Sequence, residues 1–366
     1  MGKISIGVVG CGDVAQHFYL CELHRLKDRA ELLAVCDLNE ERAKKTGEQF
    51  GARAYFTDLA HLLQESDAEV ILNLTPHKAH AAVTQAALDA GRHVYSEKPL
   101  AQSLRDATQL IETAASKGLK LACAPTTMLL PTAMRWQELL NEGAIGRVTF
   151  ARAQKVGPPM WSSFQPEHKW FFSEGCGVLM EEGVYPLTAL TGFFGPAKRV
   201  CAMAGTIIPE RVILDGAAAG EKFQTEADDS AHLLLEFDGF FAALDCSWCA
   251  HASRNEGMEI HGENGVLAGN PTYADTALEI FHPGRGWQTE EPGKGRTRIE
   301  AWILGIEHFL ESIFNDSEPI NSAEHARHVL DIMLTAGRSA REGQTIELQT
   351  DFQHSSGPGK IKRQDD

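Results

Sequence analysis

The chain predicts an α/β domain with a doubly wound parallel sheet, followed by an α+β domain built on antiparallel strands. Three observations carry this. The first third alternates short, near-continuous apolar runs with helical patterns, as βαβ units covered on both faces do. Beyond Pro125 the runs lengthen and alternate in polarity, as half-buried antiparallel strands do. The 366 residues, 43% apolar and 23% charged, hold enough material for two cores.

In order, the runs ISIGVV, ELLAVCD, AEVILNL, RHVYS and LKLACA read as strands. Helical patterns over 14–26, 40–50, 78–90 and 104–116 lie between them, with Gly91 and Gly118 fitting positions just past helix ends. A helix over 132–141 then stops at Gly143. The runs VTFARAQKV, SAHLLLEF, FFAALDCSW and GMEIHG follow, and HGENGV carries an Asn-Gly hairpin signal. Two helices, 299–315 and 323–342, close the ordered part. The expected domains are 1–124 and 125–350, the C-terminal helix of the second being free to pack back on the first, with a loose Gly/Ser/charge-rich tail over 351–366.

A formal net charge of −16 repels nucleic acid and anionic membrane, so neither is expected as a partner. No signal-peptide pattern and no long uncharged apolar stretch is evident. The eight cysteines are scattered and read mostly as small buried hydrophobes, so a reducing, cytoplasmic setting is expected. Cys246 and Cys249 form a lone C-x-x-C without a second pair or a suitably spaced His, and no metal is expected.

The first motif with chemistry in it is Gly10-x-Gly12-x-x-Ala15, following a strand and opening a helix. Gly10 permits the tight turn, and Gly12 lets a pyrophosphate approach the backbone. Asp13 and Val14 open a helix whose unpaired N–H groups and positive dipole end favour phosphate. Asp37 ends the second strand. A carboxylate there accepts hydrogen bonds from a ribose hydroxyl and repels a 2′-phosphate, and no Arg or Lys follows before Arg42. NAD is therefore the expected cofactor, with NADP as the alternative. Asp37 can also serve the helix that starts at Glu40. Thr75-Pro76, with His80 beyond, and Glu97-Lys98-Pro99 follow two further strands at their carboxyl ends, where crevices in α/β sheets bind ligands. A lysine delivered there can shift its pKa and carry a proton.

Taken with the stretch "SEGCGVLMEEGVYPL", these motifs resemble the Gfo/Idh/MocA oxidoreductases over roughly residues 4 to 345. In that stretch Gly175, Cys176 and Gly177 match a glycine triplet with Cys in the middle. Glu181 stands where Asp is usual, Gly183 matches, and Tyr185 stands where His is usual. The Tyr is similar to the branch containing glucose–fructose oxidoreductase and dimeric dihydrodiol dehydrogenase. The resemblance implies a Rossmann domain and a second domain with a large, mostly antiparallel sheet that often makes the dimer contact, hence a homodimer or homotetramer. It also implies hydride transfer between a nicotinamide and a sugar or polyol. Lys98 and Tyr185 would share the proton, Glu181 would orient a substrate hydroxyl, and Pro76 and His80 would line the nicotinamide side, with Thr75 and Glu97 among the cofactor contacts. Glu182 should point away, into solvent. Trp161, His168, Trp170 and Arg152 are candidate substrate contacts. An NAD-dependent glycosidase and a non-catalytic NAD-binding regulator share the same frame and stand as alternatives.

Overall fold

A computed structural model describes residues 2–159, 166–213, 218–254, 256–290 and 301–354. The chain divides into two compact units, Met1–Leu130 with Lys294–Leu330, and Pro131–Gly293 with Asp331–Asp366. The division thus falls at Leu130, and a late segment returns to the first unit.

The first unit holds β1 (Ile4–Val9), β2 (Ala30–Cys36), α1 (Glu40–Phe50), β3 (Ala54–Phe56), α2 (Leu59–Glu65), β4 (Val70–Asn73), α3 (His77–Asp89), β5 (His93–Ser96), α4 (Leu104–Ser116) and β6 (Leu121–Cys123). All strand pairs are parallel, in the order β3-β2-β1-β4-β5-β6. Strand order reverses between β1 and β4, so the loops leaving these two strands flank the switch-point crevice of a Rossmann sheet. β1 and β4 are buried throughout, as their unbroken apolar runs require. Ile6, Val8, Leu72 and Tyr95 pack with Ile306, Phe309 and Leu310 of the returning helix Ile303–Phe314.

The helix expected over 14–26 is not one α-helix. It is a π-turn over Ala15–Leu20 followed by a 3-10 turn over Leu23–Leu26. The wide turn carries Tyr19 into the core, edge-on to Tyr95 at 6.2 Å between ring centroids.

The second unit is α+β. Its large sheet contains β7 (Val148–Val156), β8 (Arg199–Gly205), β11 (Ser230–Glu236), β12 (Phe241–Ser247), β13 (Gly257–Gly262), β14 (Val266–Gly269), β15 (Leu278–His282), β16 (Gly286–Glu290) and β17 (Ile346–Glu347), while β9 (Glu210–Val212) and β10 (Lys222–Gln224) pair apart. The order is β16-β15-β14-β13-β7-β12-β11-β8-β17, and every described pair is antiparallel except β7–β12. The expected hairpin joins β13 to β14, with His261 facing Val266. One face of the sheet is covered by helices α5 (Pro131–Asn141) and α6 (Val184–Phe194), which meet through stacked Trp136 and Phe193 rings at 6.0 Å. The other face is open and presents Phe150, Met203, Leu234, Phe241 and Trp287 to solvent.

Candidate active site

In the first unit the turn after β1 is built around Gly10. Its φ is +94°, and a Cβ there would lie 2.6 Å from the Leu74 carbonyl oxygen, so only glycine fits. A Cβ on Gly12 would meet nothing within 4 Å. The glycine turn thus leaves open space above its backbone, at the start of the helix opened by Asp13 and Val14, which fits a dinucleotide pyrophosphate.

Asp37 stands beside this turn, 8% exposed. Its Oδ2 accepts the Cys11 N–H at 2.9 Å, and its Oδ1 accepts the Asn39 N–H and the Arg42 guanidinium, each at 2.9 Å. Burial alone would raise the carboxyl pKa, but these donors outweigh it and hold it below the usual carboxylate range.

The loops after β4 and β5 are tied together by buried polar groups. Asn73, fully buried at the end of β4, donates to the His80 carbonyl and to Thr84 Oγ1, both at 2.9 Å, and accepts the Thr75 hydroxyl at 2.7 Å. His80 is 1% exposed, with Nδ1 2.7 Å from the Pro99 carbonyl and Nε2 2.7 Å from the Thr75 carbonyl. Its ring therefore joins the two loops as a brace. Pro76 caps α3 with its backbone.

Glu97 is also buried. Its Oε1 accepts the Tyr19 hydroxyl at 2.6 Å and its Oε2 accepts the Lys98 N–H at 2.9 Å. It thereby supports the backbone of the lysine. Lys98 itself is half-buried and followed by a cis peptide to Pro99. Its charge reaches His77, whose pKa is pushed down to about 2 by burial first, then by Lys98 and His80.

In the second unit, Gly177 has a φ of +105°, and a Cβ on it would lie 2.7 Å from the Asp228 carbonyl oxygen. The Val178 N–H donates to that same carbonyl at 2.9 Å, which sets where the following helix starts. A π-turn over Leu179–Gly183 then runs into α6. Glu181 is 4% exposed on the π-turn, and Tyr185 is half-buried in the first turn of α6. Gly183 packs over β12, its Cβ position an ordinary 3.6 Å from Cys246 Sγ, and a methyl group there would crowd Leu179 Cδ2 of the same turn at 2.9 Å.

Glu182 does not point into solvent. Its carboxylate lies 3.7 Å from Lys155 Nζ, with only 16% of its side chain exposed. Lys155 also contacts Glu256 and the Tyr273 hydroxyl, the latter at 2.7 Å. Burial pushes its pKa down, but Glu182, Glu256 and Tyr273 outweigh this and hold it above the ordinary lysine value.

The candidate substrate contacts scatter. Trp170 is half-buried and stacks on Phe171 at 4.0 Å between centroids. Arg152 points to the open face of the large sheet, away from α6, and pairs with Glu259 at 2.9 Å. That strand alternates, so Ala151 and Ala153 face the helices and Arg152 does not. Trp161 and the side chain of His168 lie outside the described residues. Tyr19, Asn73, His77 and Lys155 were not singled out by sequence. The one available signal was Asn73, a polar residue ending an otherwise apolar strand.

Residues 4–124 match the oxidoreductase family described by an NAD-binding Rossmann fold, and residues 134–268 match the GFO/IDH/MocA C-terminal domain. D-apiose dehydrogenase of Paraburkholderia graminis is 25% identical, covering 94% of this chain and 89% of its own. The dTDP-3,4-didehydro-2,6-dideoxy-alpha-D-glucose 3-reductase of Actinomadura kijaniata is 31% identical, covering 88% of this chain and 90% of its own. A solved levoglucosan dehydrogenase in complex with NADH and levoglucosan shares the fold, with a TM-score of 0.83 at 22% identity, over 95% of this chain and all (100%) of that one. With both domains matched in order, this chain belongs to the GFO/IDH/MocA oxidoreductase family, with its NAD-binding Rossmann fold.

Proposed function

We propose that the chain moves a hydride between a nicotinamide cofactor and a hydroxyl-bearing carbon of a sugar, sugar derivative or polyol. The observation that carries this is the braced Glu97-Lys98-Pro99 segment at the carboxyl end of β5, a lysine delivered beside the switch-point crevice on a buried scaffold. When bound, the nicotinamide supplies the hydride donor or acceptor. Gly10 and Gly12 receive the pyrophosphate, and Asp37 receives a ribose hydroxyl.

The substrate hydroxyl must lose a proton as its carbon loses hydride. In this reading Tyr185 takes it, and Lys98 lowers the phenol pKa or shuttles the proton onward. A tyrosine near its ordinary value of about 10 is a poor base at neutral pH, so a cation is required. Glu181 orients a second substrate hydroxyl. Trp170 is retained as a substrate contact, and Arg152 is not, because it faces the open side of the sheet.

We further propose that the open sheet face pairs two copies of the chain. Its exposed Phe150, Leu234 and Phe241 support this, since contiguous exposed apolar side chains mark association surfaces. Among the described residues no helix is long and apolar enough to cross a membrane. All eight cysteines are free thiols, which supports a reducing, cytoplasmic setting.

Absorbance at 340 nm, followed with NAD or NADP over a panel of sugars, polyols, sugar acids and glycosides, tests the reaction class. NADH growth with one substrate class, lost in Lys98→Met, supports it. A flat trace over the whole panel despite proven cofactor binding counts against it.

A further inference from the structure

Lys155 continues the row of Ala151 and Ala153 on the helix-facing side of β7. Its ammonium has three protons to give. One goes to Glu256, just before β13, and one to the Tyr273 hydroxyl at 2.7 Å, in the loop between β14 and β15. That loop is closed by Asn270, whose Oδ1 accepts the N–H and the hydroxyl of Thr272 at 3.1 and 2.7 Å. The ammonium is thus held on a fixed platform. Its third neighbour is the Glu182 carboxylate, 3.7 Å away.

Glu182 lies in the same π-turn as Glu181. Neighbouring residues of an α-helix point about 100° apart, so two adjacent acids on a helix packed against a sheet ordinarily divide between core and solvent. The wide turn covers both, with Glu181 4% exposed and the Glu182 side chain 16% exposed. A covered carboxylate without a cation is costly, and Lys155 supplies one to Glu182. The start of the turn is tied separately, since the Val178 N–H donates to the Asp228 carbonyl at 2.9 Å and the Cys246 thiol donates to the Val178 carbonyl at 3.4 Å. The ion pair acts on the middle of the turn, where the two acids must be told apart.

We propose that Lys155 is a positioning residue: by binding Glu182 it fixes the rotation of the π-turn, so that Glu181 is the acid left for the substrate and Tyr185 enters α6 in register. The inference rests on the substrate roles proposed for Glu181 and Tyr185. A misplacement of about 1 Å in such groups can cost about a hundredfold in rate. The dinucleotide-binding domain is the first unit, so cofactor affinity is not at stake.

Glu182→Gln is nearly isosteric, leaves Lys155 with Glu256 and Tyr273, and cuts only the link to the turn. With a substrate found active at 340 nm, Glu182→Gln and Lys155→Met should each lose about tenfold or more in kcat/KM, with an unchanged NAD Kd. The double variant should lose no more than the worse single, because both cut one link. Lys155→Arg should recover much of the loss. Glu256→Gln and Tyr273→Phe should lower the melting temperature and leave kcat/KM near that of wild type. Hydrogen exchange over residues 178–187 in Glu182→Gln needs no substrate and should speed up in that segment alone. Exchange or kcat/KM as in wild type for Glu182→Gln would overturn the proposal, and so would losses that multiply in the double variant. No turnover on the whole substrate panel, with the segment responding as expected, would instead overturn the assigned reaction and with it the catalytic purpose given to Lys155.

Discussion

Tyr19 and Glu97 meet inside the first unit, where the phenol donates a 2.6 Å hydrogen bond to a carboxylate that is 6% exposed. The other oxygen of that carboxylate holds the Lys98 N–H. The wide turn of the glycine-rich helix and the lysine loop are thus joined through one buried acid. Tyr19→Phe removes a charge-assisted bond and should cost about 1.5–3 kcal/mol of stability. Turnover should fall further than the loss of folded protein explains, while the NAD Kd moves little. Denaturant melts and steady-state kinetics on the same preparation separate the two effects. Unchanged kcat in a destabilised variant would reduce the pair to a packing role.

His77 gives the pH dependence of stability a sign. Its folded pKa, about 2, lies below the unfolded value of 6.5, so only the unfolded chain takes up this proton as the pH falls. Stability should be intact above about pH 6.5 and decline below it by up to about 1.4 kcal/mol per pH unit from this group. Urea unfolding of wild type and His77→Gln from pH 7.5 to 5 should give a shallower slope in the variant. Parallel slopes would remove His77 from the account.

Gly177→Ala places a methyl group 2.7 Å from the Asp228 carbonyl oxygen, at a φ that side chains avoid. A loss of about 1–3 kcal/mol is expected, with a drop in kcat because the turn sets the start of the helix carrying Glu181 and Tyr185. A thermal melt matching wild type would show that the turn relaxes at no cost.

Lys155→Met leaves Glu182 and Glu256 without their cation in a mostly covered site. The expected loss is about 3 kcal/mol. Restoring a charge with Lys155→Arg should recover part of it. Equal melts for the Met and Arg variants would contradict an electrostatic role.

Leu234→Glu and Phe241→Glu should each shift sedimentation toward a single copy of the chain if the open sheet face pairs two copies. A wild type already monomeric at high concentration would contradict that pairing.

Much of this architecture was legible because its signals are local. β1, α1 and α4 begin and end where the apolar runs and glycine stops put them. α2 and the three-residue β3 went unseen, being short, and β3 is too exposed to leave an apolar run. Gly10, Gly12 and Asp37 announce themselves by spacing, and Lys98, Glu181 and Tyr185 through the family resemblance. What holds them does not. Tyr19 reaches Glu97 across 78 residues, and Glu182 on its π-turn meets Lys155 on β7, so no short window of sequence contains either pair. His80 shows the same limit from the other side. The family resemblance implied a place beside the nicotinamide, and nothing in the sequence signalled the two backbone carbonyls that its ring bridges.

The most direct test of hydride transfer follows the label itself. A substrate found active at 340 nm would be deuterated at its reacting carbon and turned over with NAD, and the NADH formed would be weighed by mass spectrometry. Direct transfer predicts NADH heavier by about one mass unit, with no label in water. Deuterium appearing in the solvent and not in NADH would contradict it.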